Sequence, residues 1–214
     1  MIITNAGGPG VISTDEVAQH DLELAELDTD TKMDLHRFMP EESTIRNPLD
    51  LIGDAGHDRY KKALKAVGKD ENVDGILVLL TPQANTEIEK TAKTIVRAEK
   101  DIEKPVFTCF MGEQDVGSGI EILEENDIPD FEDPVDAVKA FKEMNNYREF
   151  LETDRNYPEI DYDGEKAHQA LQDYNGYMDG HRLLEAYGFD LPMTENADAP
   201  HPAEETAVNI GYPV

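Results

Sequence analysis

Short apolar runs alternate with longer amphipathic stretches over the first two thirds of the chain. The apolar runs predict strands at Met1–Thr4, Leu22–Leu27, Leu49–Ile52, Gly75–Thr81, Val106–Met111 and Pro129–Phe131. The amphipathic stretches predict helices at Val11–His20, Thr31–Phe38, His57–Gly68, Thr86–Lys100, Ser118–Asn126 and Pro134–Leu151. The strand pattern is weakest at Leu22–Leu27 and Leu49–Ile52. The alternation predicts an α/β fold in which a parallel sheet lies between helices.

The segment from Gly75 to Leu80 is almost wholly apolar, which is typical of a central strand covered on both faces. Together with the size of the alternating region, residues 1–141, this favours a flavodoxin-like doubly wound parallel sheet. Ligands of such folds bind beyond the carboxyl ends of the strands. The functional site is therefore expected there.

The composition changes after residue 141. Residues 142–164 are polar and aromatic with few candidates for a core, and we interpret them as a linker. Residues 165–214 predict a helical C-terminal extension, with a helical stretch at Glu165–Tyr187, a candidate strand at Phe189–Met193 and a short helix at Pro202–Asn209. The last residues, Ile210–Val214, have the pattern of a strand that is about to begin.

The carboxyl ends of the predicted strands carry small and polar residues. These segments are Asn5-Ala-Gly-Gly-Pro-Gly, Gly53-Asp-Ala-Gly, Thr81-Pro-Gln and Met111-Gly-Glu. In the first, Gly7, Gly8 and Gly10 permit positive φ and close approach of another group, and Ser13–Asp15 can cap the helix that follows. A glycine turn that leads into a helix N-terminus favours binding of phosphate or another anion, although the same turn can serve only as a connection.

The chain carries 47 acidic and 19 basic residues, a formal net charge of −28. Because no lysine or arginine cluster is present, neither nucleic acid nor an anionic membrane is an expected partner. The acidic residues are spread along the chain, and salt would screen their repulsion, which indicates a halophilic source or simply an acidic protein. No signal peptide or apolar run of about 20 residues occurs, and the single Cys109 fits a reducing, cytoplasmic location.

No complete catalytic set is visible in the sequence. The six histidines are scattered without an HxxxH pair, and no GxSxG, GxxxxGK[ST] or CxxC motif occurs. Cys109 lies inside the apolar segment VFTCFM, where a buried role is expected. Asp50 and Asp54 flank the end of the third predicted strand, where they could bind a ligand or cap turns.

Three motifs occur in the order and spacing of a known family: TNAGGPG, NPLDLIGDAGHDRY and GILVLLTPQANTE. Through them, residues 1–141 resemble the NDP-forming acyl-CoA synthetases, and in particular the ADP-forming acetyl-CoA synthetases related to succinyl-CoA ligase. The corresponding part of that family is its second flavodoxin-like subdomain, the ligase-CoA domain. The tail HRLLEAYGFDLP…AEETAVNIGYPV resembles the opening of the family's ATP-grasp module.

This resemblance implies the reaction acyl-CoA + ADP + phosphate ⇌ acid + ATP + CoA, which passes through an acyl phosphate and a phosphohistidine. The helix that follows TNAGGPG would face the phosphohistidine, which makes Asn5, Gly7, Gly8 and Gly10 phosphate-loop candidates. Candidates in the other two loops are Asn47, Asp50, Gly53, Asp54, Thr81, Pro82 and Gln83. The parent enzyme is expected to use CoA, ADP or ATP, phosphate and magnesium, and the isolated chain is expected to bind none of them by itself.

The chain also departs from the family's full pattern. Its 214 residues lack the family's phosphorylated-histidine motif, the CoA-binding Rossmann domain and most of the ATP-grasp module, and Met1 falls where the middle of a longer strand is expected. We therefore expect part of a larger synthetase, inactive alone, whose partners are the remaining subdomains or subunits; an oligomer is compatible. The alternatives are a flavodoxin-like protein that binds a flavin or small anion, a signalling receiver, and a non-catalytic assembly module.

Thermal unfolding in a salt series tests the halophilic interpretation. Because salt screens repulsion within a chain of net charge −28, we expect the melting temperature to rise as KCl increases from dilute buffer to molar concentration. A melting temperature that stays constant or falls across the series would contradict this interpretation.

Overall fold

The computed structural model describes residues 1–153, 161–172, 177–195, 197 and 199–211. The chain divides into two compact units, Met1–Thr153 and Asp154–Val214. The described helices of the first unit are α1 to α6, namely Gly7–Gln19, Thr29–His36, His57–Val67, Ile88–Glu99, Gly117–Glu124 and Pro134–Glu152. No described helix is long and apolar enough to cross a membrane.

The first unit is built on a sheet of four described strands that all run parallel. They are β1 to β4, namely Ile2–Thr4, Leu49–Asp50, Ile76–Leu80 and Val106–Phe110. Their spatial order is β2-β1-β3-β4, and Asp130 forms one further parallel bridge with Thr108 in β4. This is the strand order of a flavodoxin-like doubly wound sheet, so the predicted fold class is confirmed.

Helices cover both faces of the sheet, as the apolar run in β3 predicts. Side chains that alternate along β3 point to opposite faces: Val78 belongs to the larger core cluster, together with residues of α3, α4 and α5. Leu77 belongs to the second cluster, where Cys109 also lies, and α1 and α6 supply its cover. Burial raises the pKa of the Cys109 thiol to about 12, which agrees with a packing role rather than a nucleophilic one.

The predicted strand at Leu22–Leu27 is wrong. This segment has no regular structure, and side chains rather than a neighbouring strand bond its backbone. Asn47 Nδ2 donates to the Ala25 carbonyl at 3.2 Å, and Asn72 Nδ2 donates to the Glu26 carbonyl at 3.1 Å. Leu27 is buried, so the apolar pattern of this segment reflects the burial of one side chain and not pairing with a neighbouring strand.

The second unit contains the described helices α7 to α9, namely Gly164–Gln172, Tyr177–Ala186 and Pro200–Ile210. The predicted helical stretch at Glu165–Tyr187 is thus present as α7 and α8, and its residues 173–176 lie outside the described residues. Tyr162 and Tyr187 stack with ring centroids 4.8 Å apart. The candidate strand at Phe189–Met193 is wrong, because these residues are irregular in the structure.

Helix α6 runs on to Glu152, so the first part of the segment interpreted as a linker is helical. Asp133 caps this helix by accepting a hydrogen bond from the Val135 N–H at 2.7 Å, and Pro134 stands at its first position. Residues 154–160 of the predicted linker lie outside the described residues, residues 161–163 are irregular, and Gly164 begins α7.

Candidate functional site

The strand order reverses between β1 and β3, and one buried side chain bridges the sheet there. Asn5, which follows β1, donates from Nδ2 to the Thr81 carbonyl at 2.8 Å. Its Oδ1 accepts from the Thr81 N–H at 2.9 Å and from Thr81 Oγ1 at 3.3 Å. Asn5 is 2% exposed, so its amide continues the hydrogen-bonding pattern beyond β1 and ties the carboxyl ends of the two strands together.

Helix α1 begins at Gly7, four residues before the predicted start at Val11. The glycines therefore form its first turn and not a loop that precedes it. Pro9 is compatible with this position because the first four N–H groups of a helix have no intrahelical acceptor. Ala6 precedes the helix with extended backbone and provides no side-chain cap.

The predicted cap at Ser13–Asp15 is wrong, because these residues lie inside α1. Ser13 Oγ donates to the Pro9 carbonyl and Thr14 Oγ1 donates to the Gly10 carbonyl, both at 2.9 Å. These bonds to the preceding turn are common for hydroxyl side chains within helices. The start of α1 is left without an acidic residue in its first turn and without a side-chain cap.

Of the three glycines of α1, Gly10 is required for close packing, and none has an unusual backbone angle. Among the described glycines, positive φ occurs only outside α1, so these three do not use the positive φ that glycine permits. A Cβ on Gly10 would lie 3.3 Å from Thr4 Cγ2 and 3.4 Å from the Pro48 ring, which is tighter than most packing contacts. A Cβ on Gly8 would meet nothing within 4 Å. Gly10 therefore lets α1 lie close to β1 and to Pro48 beside β2, while Gly8 adds no side chain to the first turn.

The turn after β2 approaches the start of α1. Asp50 Oδ1 accepts a hydrogen bond from the Ile52 N–H at 2.8 Å, and Asp50 Oδ2 lies 3.9 Å from where a Cβ of Gly7 would stand. Asp54 points to the exposed side and pairs with Arg59 at 2.6 Å. The hydrogen bond and charge of Arg59 lower the pKa of the Asp54 carboxyl. Asp50 thus caps a turn and Asp54 forms an ion pair, and ligand binding by either aspartate stays a prediction.

The loop after β3 closes the same edge of the sheet. Gln83 donates from Nε2 to Thr81 Oγ1 at 3.3 Å and from its backbone N–H to Thr86 Oγ1 at 2.8 Å. A Cβ on Gly53 would stand 3.8 Å from Gln83 Cγ, so the loops after β2 and β3 are in contact. We call the start of α1, the turn at residues 50–54 and the loop at residues 81–83 the carboxyl edge.

Asn47 does not belong to the carboxyl edge, because it precedes β2. Its Oδ1 accepts from the Ile2 N–H at 3.0 Å, at the amino end of the sheet. The structure therefore brings together the candidates Asn5, Gly7, Gly8, Gly10, Asp50, Gly53, Asp54, Thr81, Pro82 and Gln83, and it places Asn47 apart from them. Motif membership alone could not separate Asn47 from Asp50, since both stand in NPLDLIGDA.

The sequence did not predict two groups of side chains that lie beside the carboxyl edge. Arg59 spans the turn after β2, and His57 Nδ1 lies 2.6 Å from Glu87 Oε2, at the starts of α3 and α4. Lys90 also bonds to Glu87, at 2.5 Å, and the hydrogen bonds from Lys90 and then His57 lower the pKa of Glu87. Arg59, Lys90 and His57 thus all lie against carboxylates, and the described residues contain no group of three or more potential metal ligands.

Comparison with known proteins places this geometry in context. The Ligase-CoA domain model matches residues 1–145. "Acetate--CoA ligase [ADP-forming] I" of Archaeoglobus fulgidus is 35% identical over 221 aligned residues, which cover all of this chain and 31% of that protein. "Acetate--CoA ligase [ADP-forming] II subunit alpha" of Pyrococcus furiosus is 38% identical over 144 residues, or 65% of this chain and 31% of that subunit.

Solved structures give the same result. The apo form of a dinucleotide-forming acetyl-coenzyme A synthetase 1 from Ca. Korarchaeum cryptofilum superposes with a TM-score of 0.66 at 30% identity. That match covers 70% of this chain and 33% of the other chain. The fold is thus that of a ligase-CoA domain. The chain belongs to the NDP-forming acyl-CoA synthetase family, and it spans about a third of the length of the curated relatives it matches.

Alanine at Gly8 and at Gly10 tests the distinct roles of the two glycines. Gly8→Ala has room for its methyl group, and we expect the free energy of unfolding to stay constant or to rise by about 0.5 kcal/mol through helix propensity. Gly10→Ala pushes α1 against Thr4 and the rigid Pro48 ring, and we expect a loss of about 1–3 kcal/mol.

Thermal melts of the two variants beside the wild type measure this difference. Equal melting temperatures for Gly8→Ala and Gly10→Ala would show that α1 does not pack on the strands as closely as described.

Proposed function

We propose that this chain is part of an ADP-forming acyl-CoA synthetase, which converts acyl-CoA, ADP and phosphate to the acid, ATP and CoA. In this proposal the start of α1 stabilises a phosphoryl group that a histidine of another subdomain or subunit carries between the acyl-phosphate and nucleotide sites. The observation that supports it most directly is the uncapped, glycine-lined first turn of α1 at the carboxyl edge.

The electrostatics of that turn suit a phosphoryl group. The backbone N–H groups of Gly7 and Gly8 are at the positive end of the helix dipole, and α1 has no acidic residue in its first turn. Such a dipole contributes about 0.3–1 kcal/mol at an exposed position and about 2 kcal/mol when the site is partly buried. Because Gly8 has no side chain, an imidazole ring that carries the phosphoryl group can come within hydrogen-bond distance of the backbone.

Several histidines of this chain have other contacts, which supports a donor from elsewhere. Within the described residues, His20 pairs with Glu16 at 2.8 Å, and His57 pairs with Glu87. In the second unit, His181 Nε2 lies 3.0 Å from the Pro192 carbonyl oxygen. The six histidines also lack the family's catalytic motif, so we assign none of them to phosphoryl transfer.

The second unit is proposed to be the opening of an ATP-grasp module. The Pyrococcus furiosus alpha subunits match over 144 and 146 residues, which are 65% and 67% of this chain. The Archaeoglobus fulgidus relative and the 4-hydroxybutyrate–CoA ligase of Nitrosopumilus maritimus match over the whole chain. The segment beyond the ligase-CoA domain therefore has counterparts in these longer relatives. In this proposal CoA, nucleotide and magnesium bind to parts of the synthetase other than this chain, and those parts are its partners.

Titration with N-phosphoimidazole, a small analogue of phosphohistidine, tests the role of α1. We expect the Gly7 and Gly8 amide resonances of the wild-type chain to shift in a saturable manner. Gly8→Glu places a carboxylate at the start of α1, where it favours the helix but repels the anion, so the shifts should disappear while the melting temperature is kept or raised.

Gly117→Glu is the matched control. Gly117 is the first residue of α5, and a Cβ there also meets nothing within 4 Å. The control adds the same charge and the same helix-dipole stabilisation two strands away from β1, and it should bind the probe as the wild type does. Loss of binding in both variants, or no shift at Gly7 and Gly8 in the wild type, would overturn the proposal.

A further inference from the structure

The turn after β2 contains a strained residue. Ile52 has φ = +67°, in the left-handed region that β-branched side chains rarely adopt. Residues in such conformations persist only where their surroundings hold them, and they occur often in functional sites. Ile52 lies between Asp50 and Gly53, the two residues through which this turn contacts the rest of the carboxyl edge.

The backbone on both sides of Ile52 is held by hydrogen bonds. Before it, the Leu51 N–H donates to the Thr4 carbonyl at 2.7 Å, which continues the ladder beyond β2. The Ile52 N–H donates to Asp50 Oδ1 at 2.8 Å, and the Ile52 carbonyl accepts from the Ala55 N–H at 2.9 Å. The last two bonds are local to the turn, so they would move with it if the turn changed its position, whereas the bond from Leu51 holds only the residue before Ile52 against β1.

Arg59 fixes the turn to α3 on both sides of Ile52. From the first turn of α3, its Nη1 donates to the Leu51 carbonyl and to Asp54 Oδ1, both at 2.6 Å. The two acceptors lie on opposite sides of Ile52, and the Arg59 side chain is only 19% exposed. Hydrogen bonds from an arginine to a carboxylate are stronger than neutral ones, so Arg59 can oppose relaxation of the strained residue.

We propose that Arg59 is a positioning residue that holds Ile52 in its left-handed conformation and so fixes the turn against the start of α1 and against Gln83. This inference rests on the proposed function in so far as the carboxyl edge is the phosphoryl site. Without Arg59, Ile52 moves to negative φ, and Asp50 and Gly53 leave their places beside Gly7 and Gln83.

Amide resonances report this displacement directly. Arg59→Met should shift the Gly53 and Gly7 amide resonances and weaken binding of N-phosphoimidazole about fivefold, which is the effect of ~1 kcal/mol, the lower end of such strain. Lys65→Met is the control, because it removes one positive charge from an exposed position of the same helix and should change neither quantity.

A second substitution separates positioning from ordinary stabilisation. Asparagine adopts positive φ readily, so Ile52→Asn removes the strain that Arg59 opposes. In the Ile52→Asn background, Arg59→Met should leave the Gly53 and Gly7 resonances in place and should restore probe binding. Arg59→Lys keeps the charge but replaces the planar guanidinium with an ammonium group on a shorter side chain, so it should give a smaller displacement, and it serves if Arg59→Met does not fold.

The inference is wrong if the Gly53 and Gly7 resonances shift no more in Arg59→Met than in Lys65→Met. It is also wrong if Ile52→Asn does not reverse the shifts that Arg59→Met causes. The inference and the proposed function can fail separately. If the resonances behave as expected but wild-type chain does not bind N-phosphoimidazole, Arg59 still positions the turn and the phosphoryl role of α1 is wrong.

Discussion

The carboxyl edge depends on the bond pair between Asn5 and Thr81. In a doubly wound sheet the connections diverge where the strand order reverses, so the ends of β1 and β3 have no regular ladder to hold them together. The side-chain amide of Asn5 takes the place of these ladder hydrogen bonds, since it bonds both the N–H and the carbonyl of Thr81. The polypeptide on either side of this pair becomes the first turn of α1 and the Gln83 loop, so both take their positions from it.

Local and global charge act in opposite directions in this protein. A chain with net charge −28 repels phosphate at long range. Beside the carboxyl edge, Arg59 and Lys90 pair with carboxylates, and His57 lies against Glu87. Backbone N–H groups are then the attractive partners that remain for an anion at the start of α1. They act at short range, which suits a phosphoryl group delivered by a neighbouring subdomain better than one captured from solution.

Sequence patterns predicted the strands and helices that are set by burial, and they failed where one specific contact determines the local structure. The apolar run at Gly75–Thr81 predicted a central strand, and β3 confirms it. The Gly-Gly-Pro segment was read as a turn because its residues disfavour helix, but the N-terminal turn of a helix needs neither a free N–H nor high propensity.

The other features that the sequence did not predict depend on residues far apart in the chain, which no local pattern contains. Asn47 and Asp50 share one motif yet lie at opposite ends of β2, which is only two residues long. The strain at Ile52 is visible only from its backbone angle, and the two bonds of Arg59 to Leu51 and Asp54 require the start of α3 to fold back over the turn.

Hydrogen exchange at the Thr81 amide is the most direct measure of the tie between β1 and β3. In the wild type this amide should be protected to about the same degree as the amides within β3, because it donates to buried Asn5. In Asn5→Ala we expect Thr81 to exchange much faster, together with the first turn of α1, while the amides of Ile76–Leu80 keep their protection. Undiminished protection of Thr81 in Asn5→Ala would show that the carboxyl edge is held together by something other than the Asn5 side chain.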